Sequence, residues 1–384
     1  MRAVFFGTYD RPHSANRLLA AALAGAGHEV VEVHEALWER TREKHGRYFA
    51  AGSLARLGTR WIGAARGLAR AWRALPKSDT PPIVVVGFGG QLDALLAARV
   101  CRPRRGLLFA PLVSLTETLV EDRRVFRAGS ARARLLHALD RATFRAADVV
   151  LADTAAHADY FVELGARADR LAVWHLGAEP EFWTPVTGTI DPRRVLFVGR
   201  CLPLHGLSTI VEAAARLAGR ASLVVIGRGP DRPAAEARAR ALGVAIEWRD
   251  EVPLAALPGE LARAAVVLGV FGASRKAAMV VPNKVYQAAA VGRPLVTRDG
   301  PALREVLAPG EDCVACPPDD AAALAAAIAR LLDDPAAAAR LGASARARLA
   351  REHEPGRQAE RLATILAERF GVARTRAAAA AVGG

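Results

Sequence analysis

The stretch Pro282-Asn283-Lys284-Val285-Tyr286-Gln287 carries residue types that could bind an anion. Proline and asparagine before an apolar run mark a helix start, and Gly292 with Pro294 marks its end. At a helix start the first backbone N–H groups lack intrahelical partners, and the dipole favours negative charge. Lys284 adds a mobile cation in the first turn, and Gln287 falls on the same face. A second polar cluster follows the first apolar segment, in Gly7-Thr8-Tyr9-Asp10 and onward to Asn16-Arg17. Loops after parallel strands line a ligand crevice, so Gly7, Thr8, Asp10, Asn16 and Arg17 are expected to face a site. The plainer alternative is a solvated loop in which Asp10 and Asn16 only shape the turn. Cys313 and Cys316 form a C-x-x-C with no second pair and no nearby His, so packing thiols are expected there and no metal site.

Such residues need a frame. Residues 1–33 read strand, loop, helix, strand, the opening of a Rossmann-like unit. Its loop is not G-x-G-x-x-G, so a dinucleotide cofactor is not indicated. IVVVG at 83–87, LLF at 107–109 and DVVLA at 148–152 read as further strands. The rhythm resumes with RRVLFVGR, SLVVIGRGP, VAIEW and AAVVLGVFG, predicting a second parallel sheet covered on both faces. Pro180, Pro185, Gly188 and Pro192 mark the boundary, which gives an α/β chain of two domains, 1–185 and 190–352.

The 384 residues suffice for two such cores, and no apolar run is long enough to span a bilayer. Met1 to Gly7 reads as a strand, not a leader, so a cytoplasmic chain is expected. A net charge of +14 favours polyanions such as nucleotide diphosphates, anionic lipid or nucleic acid, without choosing among them. Between 54 and 75, Leu54, Leu57, Trp61, Leu68 and Trp72 recur at helical spacing among Arg56, Arg60, Arg66, Arg70 and Arg73. That pattern serves either an anionic membrane surface, placing the protein peripherally on the inner face, or a domain helix that buries its stripe.

The stretch from Lys276 to Val306 resembles the donor-site segment of the GT-B glycosyltransferases, specifically the retaining enzymes of family 4. QAAAVGRPLVT and Glu305 match that segment, although Gln287 stands at the pattern's second Glu and Met279 at its first. PNKVYQ resembles a subgroup in which Lys and Gln occupy these places. FGTYDRPHSANR, AADVVLADTAAHADYF and WHLGAEPEFWTP resemble the family's opening, its last N-domain strand and its linker.

The resemblance implies a GT-B fold of two Rossmann-like domains facing across a cleft, with a helix at 356–373 crossing back to the first. The N-terminal domain would bind the acceptor and the C-terminal one a nucleotide-diphosphate sugar, used as co-substrate with no other cofactor. Gly199-Arg200 matches the family's Gly-Arg, where Arg holds the leaving diphosphate in a bidentate grip. The companion Lys is His205 here, so Arg200 and Lys284 are the expected catalytic cations. Gly229, in the turn GRGP before Asp231, would lie beside the nucleotide; Asn283 would help bind the donor. Gln287 would meet the ribose and Glu305 the donor end of the site.

The implied activity is a retaining, metal-independent hexosyl transfer in polysaccharide, glycolipid or glycosylated-metabolite synthesis. The acceptor would be a glycan, a lipid-linked molecule or a small molecule; nucleic acid is not expected as a partner. Two alternatives stand beside it. One is a nucleotide-sugar epimerase of the same fold. The other is a non-catalytic GT-B protein that binds membrane or nucleic acid through its basic face, consistent with Met279, His205 and Gln287.

Overall fold

Short apolar runs such as IVVV at 83–86, LLF at 107–109 and VVLA at 149–152 are buried throughout, as strands covered on both faces are. The structure is a computed structural model that describes residues 1–37, 51–186 and 188–373, with side chains described from residue 58 in the second of these ranges. It resolves into two compact units, residues 1–176 with 355–384 and residues 177–354.

The first unit runs β1 (Arg2–Gly7), α1 (Ser14–Gly25), β2 (Glu29–His34), α2 (Ala51–Ala74), β3 (Ile83–Val86) and α3 (Gln91–Val100). It continues with β4 (Gly106–Phe109), a π-helical turn Glu117–Asp122, α4 (Ala131–Ala146), β5 (Val149–Ala152), α5 (Ala155–Glu163) and β6 (Leu171–Val173). The strands form one parallel sheet in the order β2-β1-β3-β4-β5-β6. The order reverses between β1 and β3, the switch point where open α/β sheets leave a crevice beyond their strand ends. The C-terminal helix Pro355–Phe370 packs on α1 in this unit. The Trp174 indole N–H donates to the Gln358 carbonyl at 3.1 Å, and Arg105 Nε donates to the Phe370 carbonyl at 2.6 Å.

Helix α2 turns the described part of its aromatic stripe inward. Leu68 and Trp72 are buried, with the Trp72 ring edge-on to Phe6 at 6.4 Å. Trp61 Nε1 donates to Asp93 Oδ1 at 2.9 Å, while Arg66, Arg70 and Arg73 face solvent. Of the two uses open to this helix, packing occupies these three apolar side chains. Leu54 and Leu57 lie outside the described side chains.

The second unit comprises β7 (Asp191–Val198), α6 (Leu207–Arg216), β8 (Ser222–Ile226), α7 (Arg232–Ala241), β9 (Ile246–Arg249), α8 (Leu257–Ala262) and β10 (Ala264–Leu268). After these come α9 (Arg275–Met279), α10 (Asn283–Val291), β11 (Leu295–Arg298), α11 (Pro301–Arg304), β12 (Val314–Cys316), α12 (Ala321–Asp333) and α13 (Pro335–His353). Its parallel sheet has the order β12-β11-β10-β7-β8-β9, so the switch point lies between β7 and β10. Phe197, Leu223, Val225, Leu268 and Leu324 form its core with other buried side chains. Complete burial of a side chain such as Phe197 stabilises by about 1.5–3 kcal/mol. Cys313 and Cys316 are free and buried; burial pushes their thiols up to about 12 and about 11. Among the described residues no group of three His, Cys, Asp or Glu side chains is placed to hold a metal ion.

Candidate anion-binding site

In the second unit the switch point collects the residues singled out around Lys284. Strand β7 ends at Val198, and Gly199-Arg200 leaves the sheet. The chain then closes a short 3-10 turn, Pro203–His205, before α6. That turn is tied to the loop after β10, since Phe271 N donates to the His205 carbonyl and Gly272 N to the Leu204 carbonyl, both at 3.1 Å. The loops after the two strands that flank the switch point are therefore one hydrogen-bonded piece.

Helix α10 begins with Asn283 after Pro282, and no side chain caps it. Lys284 in its first turn is buried, and its Nζ has no hydrogen-bond partner. The ammonium sits 3.8 Å from the centroid of the Phe197 ring, whose π face supplies the local compensation. A Cβ at Gly199 would stand 2.7 Å from Lys284 Nζ and 3.1 Å from His205 Cε1. Gly199, His205 and Lys284 are thus brought together, and glycine leaves room for the amine.

Burial, with little relief from Cys201, holds the Lys284 amine well below its usual pKa. Burial and the neighbouring Lys284 charge hold His205 well below the ordinary imidazole value, so it is neutral at pH 7. Its Nδ1 accepts from the Leu202 N–H at 3.1 Å. Arg200 is exposed and makes no ion pair among the described residues. The Lys284 amine beside Gly199 is thus buried without a counter-charge.

The turn after β8 supports the same surface from behind. A Cβ at Gly229 would fall 1.6 Å from the Arg200 carbonyl oxygen, and one at Gly227 would fall 2.0 Å from the Gly199 carbonyl oxygen. Both positions therefore demand glycine for close backbone approach. Asp231, just beyond, donates its N–H to the Cys201 carbonyl at 3.1 Å.

Gln287 is buried one turn beyond Lys284, and its Nε2 donates to Glu179 Oε2 at 2.9 Å. Glu179 is itself buried, and its Oε1 has no hydrogen-bond partner. Residue types and spacing around position 287 gave no sign of Glu179, which is 108 residues away in the chain. Met279, where the pattern has its first Glu, is buried at the end of α9. Glu305 is half-buried at the C-terminus of α11, a different helix from the one that carries Lys284 and Gln287.

In the first unit the loop after β1 is held to the first turn of α3. Thr8 donates from both its N–H and its hydroxyl to Asp93 Oδ2, at 2.7 and 2.9 Å. Burial keeps the Asp93 carboxyl above the usual range, against three hydrogen bonds that oppose it. Gly7 is required by the same contact, as its φ of 137° and a Cβ 2.7 Å from Asp93 Oδ2 would suit no larger residue. Asn16 accepts from the Phe88 N–H at 2.8 Å and donates to the Asp10 carbonyl at 2.9 Å. Thr8 and Asn16 thus shape the crevice with their side chains, as does Asp10 through its carbonyl, while Arg17 is half-exposed on α1. Asn16 also lines a small pocket with Leu112, Asp153 and Trp174.

Beside that pocket lies a charged cluster that the residue pattern does not announce. His157, fully buried on α5, places Nδ1 2.6 Å from Asp153 Oδ1 and Nε2 3.1 Å from Glu117 Oε2. Burial alone would lower its pKa, but the two carboxylates override that and raise it to about 10. His157 is an imidazolium, and it anchors the π-helical turn at Glu117.

Residues 13–177 match the family model "Glycosyl transferase 4-like domain", and residues 192–334 match "Glycosyl transferases group 1". The glycogen synthase of Mycobacterium tuberculosis is 30% identical over 260 residues, 62% of this chain. That match spans 58% of the synthase, a little over half its length. Among solved structures, Anabaena Alr3699/HepE in complex with UDP and glucose aligns with a TM-score of 0.68 at 16% identity, covering 96% of this chain and 99% of that one. Sucrose-phosphate synthase from Thermosynechococcus elongatus aligns with a TM-score of 0.74 at 18% identity, again over 96% and 99%. At those identities the superpositions establish the two-domain α/β architecture as GT-B. The two family models divide the chain between them, residues 13–177 being similar to a glycosyl transferase 4-like domain and residues 192–334 to the group 1 glycosyl transferases, on a GT-B fold.

Proposed function

We propose that the protein transfers a sugar from a nucleotide diphosphate to an acceptor hydroxyl, with retention and without a metal ion. Breaking the anomeric C–O bond puts negative charge on the departing diphosphate, and preorganised cations in a dry site stabilise it. Arg200 and Lys284 are the cations in this reading, with Gly199 and Gly229 letting the backbone come close. Asn283 contributes the helix N-terminus, Gln287 meets the ribose and Glu305 the donor end. His205 is neutral here and acts as a hydrogen-bonding neighbour of the diphosphate, not as a second cation.

The observation that carries the reading is Lys284, a buried amine with no partner beside the Gly199 backbone. A buried cation without a counter-charge is costly, and a bound diphosphate supplies what it lacks. Uridine is the first base to try, because HepE is described in complex with UDP and with UDP-glucose. The acceptor class is a glycan, a lipid-linked molecule or a small molecule, met by the first unit. A cytoplasmic enzyme with peripheral contact to an anionic membrane suits a lipid-linked acceptor. No nucleic-acid partner is included.

The test is thermal unfolding with UDP, GDP, ADP and TDP and their sugars, for wild type and Lys284→Ala. Ligand at about 100 times its dissociation constant adds about 2.7 kcal/mol of stability. A shift with one base, lost in the variant, supports the donor site. The anomeric configuration of the product and activity in the presence of a chelator then test retention and metal independence. No shift with any nucleotide turns the reading toward the non-catalytic alternative, and sugar inversion without an acceptor turns it toward the epimerase.

A further inference from the structure

One segment of the first unit gathers arginines without acidic partners. In the second unit several exposed arginines meet an acid, as in Arg220–Asp333, Arg228–Asp250, Arg238–Glu212 and Arg304–Asp299. Residues 123–145 of the first unit hold seven arginines and a single acid, Asp140. Asp140 is fully buried and accepts from Leu115 N, Thr116 N and Thr116 Oγ1, so it does not neutralise the surface. Arg124, Arg127, Arg132, Arg134, Arg141 and Arg145 are exposed and make no ion pair among the described residues.

Helix α4 arranges part of this charge on one side. Its buried side carries Thr143 and Phe144, with Phe144 stacked at 4.8 Å on Phe161. Arg134, Ala138, Arg141 and Arg145 recur at helical spacing on the opposite, exposed side. Leu135 stands among them with 68% of its surface exposed, and Val125 in the preceding loop is 38% exposed. A large aliphatic side chain left in water between unpaired arginines gains nothing from folding alone.

We propose that the surface formed by residues 123–130 and the exposed face of α4 docks on an anionic lipid bilayer. The unpaired arginines meet lipid headgroups, and Leu135 with Val125 enters the headgroup–acyl boundary. A cationic surface alone would serve any polyanion. The exposed leucine is what favours a bilayer over nucleic acid or an acidic polysaccharide. The site is distinct from α2, whose Trp61, Leu68 and Trp72 are used inside the unit. It also adjoins Glu117–Asp122, the turn after β4, so docking would hold the crevice of the first unit close to membrane-borne molecules.

The experiment is vesicle co-flotation of the full chain, with phosphatidylcholine alone or mixed with phosphatidylglycerol. Variants are Leu135→Glu and the triple Arg134→Glu/Arg141→Glu/Arg145→Glu, each shown to be folded by its unperturbed melting curve. Binding to the anionic vesicles alone is expected, weakened by salt. The triple variant should bind at least about 100-fold more weakly, with each arginine near an anionic surface contributing measurably. Leu135→Glu should also weaken it. Equal binding to neutral vesicles, or full binding by the triple variant, overturns the proposal. So does loss in the triple variant with none in Leu135→Glu and full displacement by heparin, which assigns the surface to a soluble polyanion. Nucleotide-induced thermal shifts are expected to be the same in all variants, so failure of docking stays separate from failure of the donor site.

Discussion

Lys284 Nζ stands 3.8 Å from the centroid of the Phe197 ring, buried and with no hydrogen-bond partner. A cation–π contact replaces only part of the hydration that the ammonium loses. In the free protein Lys284 therefore costs stability, and a bound diphosphate makes it useful. Lys284→Met keeps the stem volume over Phe197 and removes the charge. The variant should match or exceed wild type in unfolding free energy by up to about 2 kcal/mol. Its affinity for the nucleotide diphosphate should fall about 10- to 100-fold, the worth of a charge-assisted hydrogen bond. Chemical denaturation and calorimetric titration of one preparation read both effects.

The same relationship predicts a pH dependence. The folded Lys284 binds its proton less tightly than the unfolded chain does, because burial depresses its pKa from 10.5. Unfolding then takes up protons, so the free protein loses stability as pH falls from the unfolded value toward the lowered folded one. His205 adds the same sign of effect below 6.5. A bound diphosphate favours the charged amine and opposes the effect of burial, so binding should take up protons between the lowered pKa of the free protein and the higher one of the complex. Calorimetric titration in buffers of different ionisation enthalpy measures the uptake, with Lys284→Met expected to abolish it. Proton-neutral binding by wild type would falsify this account of the amine.

How much of this was readable beforehand follows from distance along the chain. The strand–helix alternation gives both parallel sheets, because burial on two faces leaves a local apolar signature. The start of α10 also follows from its turn residues, whereas the grouping of Gly199, His205 and Lys284 was implied only by the family resemblance. Glu179, Asp93 and the Glu117–His157 contact were not legible. Each depends on a tertiary approach between polar residues that carry no periodic signal, and each polar side chain looks like an ordinary loop or helix residue in isolation. Trp61 shows the converse. Its spacing suits a membrane helix and a core helix equally, and only the Asp93 carboxylate decides where its indole points.

Gln287 and Glu179 form a buried pair in which an amide donates to a carboxylate at 2.9 Å. Gln287→Glu would set two buried carboxylates against each other, and one would have to take a proton or move apart. The single variant should lose about 2–4 kcal/mol of stability at pH 7 and regain part of it in acid. Adding Glu179→Gln restores one carboxylate and one amide. The double variant should recover most of the loss, giving a coupling energy above about 1 kcal/mol in a double-mutant cycle. Simple additivity of the two substitutions would show that the contact contributes nothing.

The glycines behind the site separate close approach from backbone strain. A methyl at Gly229 would overlap the Arg200 carbonyl oxygen, whereas Gly219, with a φ of 78°, has nothing within 4 Å of its Cβ position. Gly219→Ala should cost about 1–2 kcal/mol from the left-handed backbone alone and leave nucleotide affinity unchanged. Gly229→Ala must displace the Gly199-Arg200 turn. It should cost about 1–3 kcal/mol or more and lose nucleotide binding at temperatures where the variant remains folded. Melting curves with and without the nucleotide distinguish the two.

His157 supplies the test in the first unit. Its folded pKa, raised from 6.5 to about 10 by Glu117 and Asp153 against the opposing effect of burial, means that the folded state holds a proton that the unfolded chain releases at neutral pH. The stabilisation is fully present below 6.5 and disappears as pH rises through about 10. Wild-type melting temperature should therefore fall between neutral and strongly alkaline pH, and His157→Gln should flatten that part of the profile. The substitution leaves Asp153 and Glu117 without their cation, at a cost of about 3–5 kcal/mol. Because Glu117 Oε2 also accepts from the Ser114 N–H at 3.2 Å, the loss should loosen the turn after β4 first. Hydrogen exchange should show Ser114 to Asp122 opening at free energies below those of β4 and β5. Uniform destabilisation of the whole unit would instead make His157 a general core residue with no particular hold on that turn.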